Sequence, residues 1–109
     1  MRAVMVRYRV KPDMVEENER LVRAVYAELR TVKPAGLRYQ THKLADGVSF
    51  VHVAVYDDGV ADSPLPGLPA FKAFTADIKA RCDELPTTQA LEPLGFFSSF
   101  EGEGAGAVD

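Results

Sequence analysis

The sequence predicts a ferredoxin-like α+β sandwich, in which two helices cover one face of a four-stranded antiparallel sheet in the order βαββαβ. Three patterns predict this order. Two strand-like segments flank Asp46-Gly47, a dipeptide typical of tight hairpin turns; an amphipathic helix pattern lies on each side of this hairpin; and a further strand pattern lies beyond each helix. We expect one domain over residues 1–100 and a flexible tail at residues 101–109, which has few apolar side chains.

The first strand and the first helix are predicted from their two periods. Alternation over Ala3 to Val10 directs Val4, Val6, Tyr8 and Val10 to one face and Met5, Arg7 and Arg9 to the other. A helix is expected from about Met14 to Val32, with Asp13 as its N-cap, Glu16 completing a capping box, and Gly36 beyond its end. Its apolar stripe consists of Met14, Val15, Leu21, Val22, Val25, Leu29 and Val32.

The hairpin has a predicted register, because a two-residue loop at Asp46-Gly47 places Thr41 opposite His52. Side chains of the two strands then divide between two faces. One face carries Leu37, Tyr39, Thr41, Lys43, Phe50, His52, Ala54 and Tyr56, and the other carries Arg38, Gln40, His42, Val51, Val53 and Val55.

The second half of the chain predicts one more helix and one more strand. The helix is expected to begin at Pro69 and to end before Pro86. Its apolar stripe consists of Phe71, Phe74, Ile78, Cys82 and Leu85. The last strand is expected within residues 91–100, at an edge or with a bulge, because Pro93 and Gly95 interrupt it.

Two helices cover only one face of such a sheet, so the other face must meet water or a partner. The valines of the hairpin, with Val4 and Val6, are predicted to face the helices. The opposite face would then expose an apolar patch formed by Met5, Leu37, Tyr39, Phe50, Ala54 and Tyr56. This patch predicts a homodimer that associates through the sheet.

Composition excludes several functional classes. No apolar run is long enough to cross a membrane, no signal peptide precedes the first strand, and Cys82 is the only cysteine, so we expect a cytoplasmic protein. No spacing of His, Cys and carboxylates predicts a metal site. The net charge of −3 does not favour nucleic acid, and the segment from Gly47 to Val53 lacks the stacking aromatics that RNA-recognition strands need.

The sequence also resembles a known group. Pro34-Ala35-Gly36, Leu37-Arg38-Tyr39, and Phe50-Val51 through Tyr56-Asp57-Asp58 resemble the turn and strand pattern of the dimeric α+β barrel superfamily, and within it the antibiotic biosynthesis monooxygenase-like domains. The resemblance covers about residues 3 to 100. It implies a small monooxygenase-like enzyme without a cofactor, acting on an aromatic or quinol-type molecule. Two departures disfavour haem chemistry: the chain has no Trp, and the segment Pro64 to Pro69 lacks the histidine that is common there.

The candidate catalytic residue is His52, whose neutral imidazole could accept a proton from a phenolic or enolic substrate. Arg7, Tyr39, Thr41 and Tyr56 are the candidate substrate-binding residues on the same predicted face. Each also has a structural interpretation: a core histidine satisfied by Thr41 or Tyr39, a salt bridge for Arg7, and interface packing for the tyrosines. His42 is expected to lie at the surface or pack against a helix, and Cys82 is expected to be an inert packed thiol.

Three functional interpretations stay open at this stage. The first is the monooxygenase-like enzyme, with the loop from Val60 to Pro69 covering the mouth of its pocket. The second is a non-catalytic dimeric barrel that binds a small ligand or a stress signal. The third is a subunit whose sheet face serves assembly only.

Overall fold

The computed structural model of the chain describes residues 1–100, and the predicted flexible tail lies outside the described residues. Four strands and three helices follow one another in the chain, with 3₁₀ turns at Pro12–Met14 and Leu65–Gly67. They are β1 (Arg2–Val10), α1 (Val15–Val32), β2 (Leu37–Lys43), β3 (Ser49–Tyr56), α2 (Pro69–Ala76), α3 (Ile78–Arg81) and β4 (Cys82–Leu91). None of these helices combines the length and apolar character that a bilayer crossing requires.

The four strands form one antiparallel sheet in the order β2-β3-β1-β4, with the helices packed on one face. This arrangement confirms the predicted ferredoxin-like α+β sandwich. The core lies between sheet and helices in two neighbouring clusters. The larger contains Tyr8, Val10, Leu21, Val25, Phe50, Phe74 and Cys82, and the smaller contains Ala54, Tyr56, Leu65 and Leu68.

The hairpin register is confirmed, since Thr41 pairs with His52 as predicted. The loop is longer than two residues. Leu44 N–H donates to Ser49 O at 2.8 Å, and this last hydrogen bond of the hairpin encloses a four-residue connection. Asp46 holds this connection: its Oδ1 accepts from the backbone N–H groups of Val48 and Ser49 at 2.9 and 2.8 Å. A carboxylate that bonds to the backbone in this way is typical of turns.

The two faces of β3 are the reverse of the prediction. Paired strand residues share a face, and β1 pairs with β3 so that Val6 lies opposite His52 and Tyr8 opposite Phe50. The helices therefore cover the large side chains of β3, not its valines. The covered set is Phe50, His52, Ala54 and Tyr56, while Val51, Val53 and Val55 lie on the open face. No turn joins β1 directly to β3, so the sequence does not fix their register.

The helix α1 begins one residue later than predicted, and its cap differs. Pro12–Met14 form a 3₁₀ turn, so Asp13 lies inside that turn and Met14, which has no capping side chain, occupies the N-cap position. Val32, predicted as part of the buried stripe, is exposed in the last turn. Lys33 ends the helix in the left-handed region, and its N–H bonds to Leu29 O at 2.8 Å.

The second predicted helix is shorter than expected. It begins at Pro69 as predicted, but the helical backbone is broken at Asp77 (φ −117°, ψ 22°) and ends at Arg81. Residues 82–91 instead form the edge strand β4, so the strand predicted at residues 91–100 is wrong. Backbone pairing with β1 outweighs the helical spacing of apolar residues in this segment.

Pro86 lies in β4, where the pairing with β1 is irregular: the register shifts between Arg7 and Arg9. Leu85, predicted on the buried helix stripe, is consequently exposed. An edge position or a bulge is predicted around Pro93 and Gly95; the structure has both features earlier in the chain, around Pro86. Proline fits here because an edge strand leaves one row of N–H groups unpaired.

Residues 92–100 cross the open face without forming a helix or strand. The guanidinium carbon of Arg38, on the edge strand β2, lies 4.0 Å from the centroid of the Phe96 ring. Leu91 ends β4 at the opposite edge of the sheet, so the segment from Leu91 to Phe96 reaches from one edge of the sheet to the other. Nearby Leu94, Phe97 and Phe100 present their side chains to the outside.

Candidate functional site

The centre of the candidate site is His52, which lies mid-strand in β3 on the face that the helices cover. Its side chain is 5% exposed. The imidazole packs against the rings of Tyr8 and Phe74, each with its centroid 5.3 Å away. Because the ring is buried, its polar atoms depend on neighbouring side chains for hydrogen bonds.

Both ring nitrogens of His52 have partners. Nε2 lies 2.8 Å from the hydroxyl of Tyr8. Nδ1 lies 2.9 Å from the hydroxyl of Tyr39 and 2.9 Å from Oγ1 of Thr41. The hairpin register explains this geometry, because Thr41 lies directly opposite His52 and Tyr39 is a diagonal neighbour on the same face.

Burial keeps these groups uncharged at neutral pH. It lowers the pKa of His52 from 6.5 to about 4, because the imidazolium would lose its water. Burial also raises the pKa of Tyr8 and of Tyr39 well above the usual value for a phenol. The imidazole of His52 and the hydroxyls of Tyr8 and Tyr39 are therefore neutral donors and acceptors.

The network continues away from His52 to the far side of the core. Asn18, fully buried in α1, donates from Nδ2 to the hydroxyl of Tyr8 at 2.9 Å. Arg81, 2% exposed at the end of α3, donates from Nε to Asn18 Oδ1 at 3.1 Å and from Nη2 to Phe74 O at 2.6 Å. A buried guanidinium is costly unless its N–H groups are satisfied, and these bonds satisfy part of that requirement.

On its other side the network reaches a cleft of about 490 Å³ between α1 and the β2–β3 hairpin. Tyr26, Tyr39, Thr41 and Phe50 contribute to its wall. The rings of Tyr26 and Tyr39 are stacked at 5.5 Å, and the hydroxyl of Tyr26 lies 2.8 Å from Thr41 Oγ1. Burial raises the pKa of Tyr26 to about 12. The hydroxyl groups of Tyr39 and Thr41 thus lie between His52 and this aromatic cleft.

The rim of the cleft is charged. Glu19 of α1 accepts from Lys43 at 2.8 Å and from Arg23 at 3.1 Å. The hydrogen bond from Lys43 is the main cause of the lowered pKa of the Glu19 carboxyl. These bonds tie the end of β2 to α1 on the solvent side of the cleft.

Three of the five residues predicted for the site come together, namely His52, Tyr39 and Thr41. Arg7 does not join them: it pairs with Val51 on the open face of the sheet. Tyr56 shares the face of His52 but lies in the smaller core cluster, where its hydroxyl donates to Ser63 at 2.8 Å. The loop predicted to cover the mouth of the pocket contributes Leu65 and Leu68 to this cluster, while the cleft wall comes from α1, β2 and β3.

Four residues of the network were not predicted from the sequence. Asn18 and Arg81 interrupt apolar stripes and therefore look like surface residues, although both are buried. Tyr8 was placed on the helix-facing side correctly, but away from His52, because the faces of β3 were reversed. Tyr26 sits one position from Val25, at the edge of the α1 stripe.

The remaining polar candidates serve packing or lie apart from the network. Cys82 is buried, and burial raises the pKa of its thiol, so its nucleophilic thiolate is disfavoured. His42 is exposed on β2, as predicted, and lines the cleft without joining the network. Over residues 1–100, no three His, Cys, Asp or Glu side chains are grouped so as to hold a metal ion.

Several solved structures share this fold. Rv0793 from Mycobacterium tuberculosis superposes with a TM-score of 0.72 at 24% identity, covering 89% of this chain and 98% of its own. An antibiotic biosynthesis monooxygenase gives 0.72 at 19% identity, covering 87% of this chain and 100% of its own. A variant of SnoaB, a cofactor-independent oxygenase from Streptomyces nogalater, gives 0.64 at 18% identity, covering 87% of this chain and 94% of its own.

These likenesses confirm the fold that the resemblance implied: the chain has the α+β fold of antibiotic biosynthesis monooxygenase-type structures. No protein-family model matches the chain, and no curated protein sequence matches it. Identities of 18 to 24% establish a shared architecture, and one architecture hosts many activities. The function must therefore be argued from the side chains around the cleft.

Proposed function

We propose that the chain is a small monooxygenase-like enzyme that acts on an aromatic or quinol-type molecule held in the cleft between α1 and the β2–β3 hairpin. The observation that carries this proposal is the position of a neutral, buried His52 directly behind two hydroxyl groups of the cleft wall, those of Tyr39 and Thr41. The likeness in fold to a cofactor-independent oxygenase supports the reaction class.

The shape and chemistry of the cleft favour a planar ligand. A volume of about 490 Å³ falls in the usual range for small-molecule sites. The stacked rings of Tyr26 and Tyr39 line the cleft and offer an aromatic surface to a planar ligand. The hydroxyls of Tyr39 and Thr41 supply hydrogen bonds for a ligand oxygen at one end. A phenol, quinol or anthrone-like molecule combines these features.

The proposed reaction replaces a reactive CH₂ group of such a ring system by a carbonyl. One atom of dioxygen enters the product and the other leaves as water together with the two hydrogens of the CH₂ group, so the equation balances without a further reductant. An electron-rich enolate or phenolate is the form that reacts with dioxygen. The protein would shield this anion from water and stabilise its oxygen by hydrogen bonds.

His52, the predicted catalytic residue, is proposed here as a positioning residue that acts on the ligand oxygen through Tyr39 or Thr41. Because the imidazole is neutral at pH 7, it can accept or donate a proton, and the choice depends on which ring nitrogen already carries one. Arg7 and Tyr56, the other predicted substrate-binding residues, lie outside this cleft, so the proposal rests on His52, Tyr39 and Thr41.

One observation favours a second function, the binding of a small ligand without catalysis. Both nitrogens of His52 are already bonded to protein groups, which is also what a satisfied core histidine shows. In that case Tyr39 and Thr41 would recognise the ligand oxygen, and no reaction would follow.

Oxygen consumption by the purified protein with anthrone as substrate tests the proposal. We expect uptake above the protein-free rate, reduced at least tenfold in His52→Gln, with Lys72→Ala as the control because Lys72 is exposed on α2, outside the cleft. If anthrone raises the melting temperature but no oxygen is consumed, the binding function is correct and the enzymatic one is wrong. Equal rates in His52→Gln and wild type would contradict the role of His52.

A further inference from the structure

We infer that Arg81 is a positioning residue: acting through Asn18 and Tyr8, it fixes the proton of His52 on Nδ1, the nitrogen that faces the cleft wall. The consequence for chemistry rests on the proposed function, whereas the position of the proton does not. Four residues from α3, α1, β1 and β3 form this chain of hydrogen bonds, and all of them are at least 95% buried.

The first step is the orientation of the Asn18 amide. A guanidinium can only donate hydrogen bonds, so the Asn18 atom that faces Arg81 Nε at 3.1 Å must be the amide oxygen. Arg81 cannot turn away easily, because its Nη2 donates to Phe74 O at 2.6 Å. The amide nitrogen of Asn18 is then directed toward Tyr8.

The second step is the direction of the Tyr8 hydroxyl. Asn18 Nδ2 donates to the hydroxyl oxygen at 2.9 Å and cannot accept the hydroxyl proton in return. The other partner of this hydroxyl is His52 Nε2, at 2.8 Å. Tyr8 must therefore donate its proton to Nε2, and a nitrogen that accepts a hydrogen bond carries no proton.

The third step is the tautomer of His52. A neutral imidazole holds one proton, and with Nε2 acting as acceptor that proton is on Nδ1. Nδ1–H then donates to the hydroxyl oxygens of Tyr39 and Thr41, each 2.9 Å away. The reverse tautomer would require the Tyr8 hydroxyl to bond to Asn18 Oδ1, which would turn the amide NH₂ group toward the guanidinium. Two donors would then face each other inside the core, at the cost of two lost hydrogen bonds.

This direction assigns His52 a donor role toward the cleft. When Nδ1–H donates to the oxygen of Tyr39, the Tyr39 hydroxyl no longer donates to the imidazole and can donate to a ligand oxygen, and the bond behind it makes that hydroxyl a stronger donor. A hydroxyl donor such as that of Tyr39 stabilises a negatively charged oxygen of a ligand. The preferred ligand is therefore the ionised form of an aromatic or enolic hydroxyl. His52 then supports the anion and does not remove the proton of the substrate.

Asn18→Asp tests the inference, because a carboxylate of nearly the same shape accepts hydrogen bonds on both sides. It can keep the bond from Arg81 while accepting the Tyr8 hydroxyl proton, which leaves His52 to donate from Nε2. Long-range ¹H–¹⁵N correlation spectra report which ring nitrogen is protonated. We expect Nδ1–H in the wild type and in Arg81→Lys, which keeps a donor, and Nε2–H in Asn18→Asp. A wild-type Nε2–H, or an Asn18→Asp ring that stays Nδ1–H or becomes doubly protonated, would overturn the inference.

A second readout separates this inference from the proposed function. The dye 4-nitrophenol changes colour when it ionises, so its absorbance shows which form the cleft binds. We expect the wild type to bind the phenolate at least tenfold more tightly than Asn18→Asp does. If the NMR result holds but neither protein binds the dye, the tautomer is fixed as inferred and the proposed ligand class is wrong.

Discussion

At the scale of single residues, the burial of His52 couples the stability of the protein to pH. Its folded-state pKa of about 4 lies below the value of about 6.5 in an unfolded chain, so the unfolded state binds the proton more tightly. Stability is therefore unaffected above pH 6.5 and falls as the pH drops from about 6.5 to about 4. The full loss amounts to roughly 3 kcal/mol, at about 1.4 kcal/mol for each unit of pKa shift.

Urea unfolding at pH 7, 6, 5 and 4 checks this prediction. The free energy of unfolding of the wild type should decrease through this range more than that of His52→Gln, which has no titrating group at this position. Exposed acids with lowered pKa values, such as Asp46 and Glu17, affect both proteins equally and cancel in the difference. Parallel pH profiles for the two proteins would show that His52 is accessible to protons in the folded state.

The residues of the site were predictable to the extent that local pairing determines them. Thr41 and Tyr39 meet His52 because the hairpin turn sets their register, and that register can be read from the sequence. Asn18 and Arg81 meet only through packing of distant elements, 63 positions apart in the chain. A polar residue within an apolar stripe is more often exposed than buried, so no sequence rule favours this pair.

At the scale of elements, the first half of the fold follows from local signals and the second half does not. The period of α1 and the hairpin are local, and both were predicted to within a few residues. In β4, Cys82 and Leu85 have helical spacing, but the segment also contains Thr87 and Thr88, which favour strands. Pairing with β1 decides between the two, and β1 lies some 80 residues away in sequence.

The connection from α1 to β2 depends on Gly36, which supports a prediction for this element. Gly36 has φ of +74°, and a Cβ added there would lie 2.5 Å from Val60 Cγ2. Gly36→Ala should therefore lower the free energy of unfolding by about 1–3 kcal/mol, through backbone strain and displacement of the Val60 loop. Gly67→Ala is the matched control, because no atom lies within 4 Å of its added Cβ and its backbone is not left-handed. Equal unfolding midpoints for the two variants in urea would contradict the close packing of this connection.

At the scale of the whole molecule, the open face of the sheet argues for self-association. Its centre is lined by Met5, Val51, Val53 and Val55, and the segment that follows β4 carries further exposed apolar side chains at Leu94, Phe97 and Phe100. Apart from Met5, these residues differ from the predicted patch, because the faces of β3 are reversed, and only the centre of the face is apolar, since Arg7, Arg38 and Gln40 flank it. A surface of this kind is rarely left to water, and a twofold homodimer is the simplest way to cover it.

The position of the cleft separates dimer formation from ligand binding. The cleft lies between α1 and the hairpin of a single protomer; Tyr39 and Thr41, which carry its hydroxyl groups, are on the helix-covered face, whereas Gln40 and His42 line it from the open face. Val53→Lys would place a charge at the centre of the open face, where its neighbours across the strands are Met5 and Gln40. Desolvating an unpaired ammonium costs more than a dimer interface of valines gains, so the variant should be monomeric.

Sedimentation velocity at micromolar concentration should therefore show dimers for the wild type and monomers for Val53→Lys, with unchanged far-ultraviolet circular dichroism. Lys72→Glu, an exposed charge change on α2, controls for charge alone and should stay dimeric. The monomeric variant should still bind 4-nitrophenol within about threefold of the wild-type affinity, because His52, Tyr39 and Thr41 belong to one chain. A monomeric wild type would remove the case for the dimer and leave the cleft intact. Loss of binding on dissociation would instead show that the second protomer completes the site.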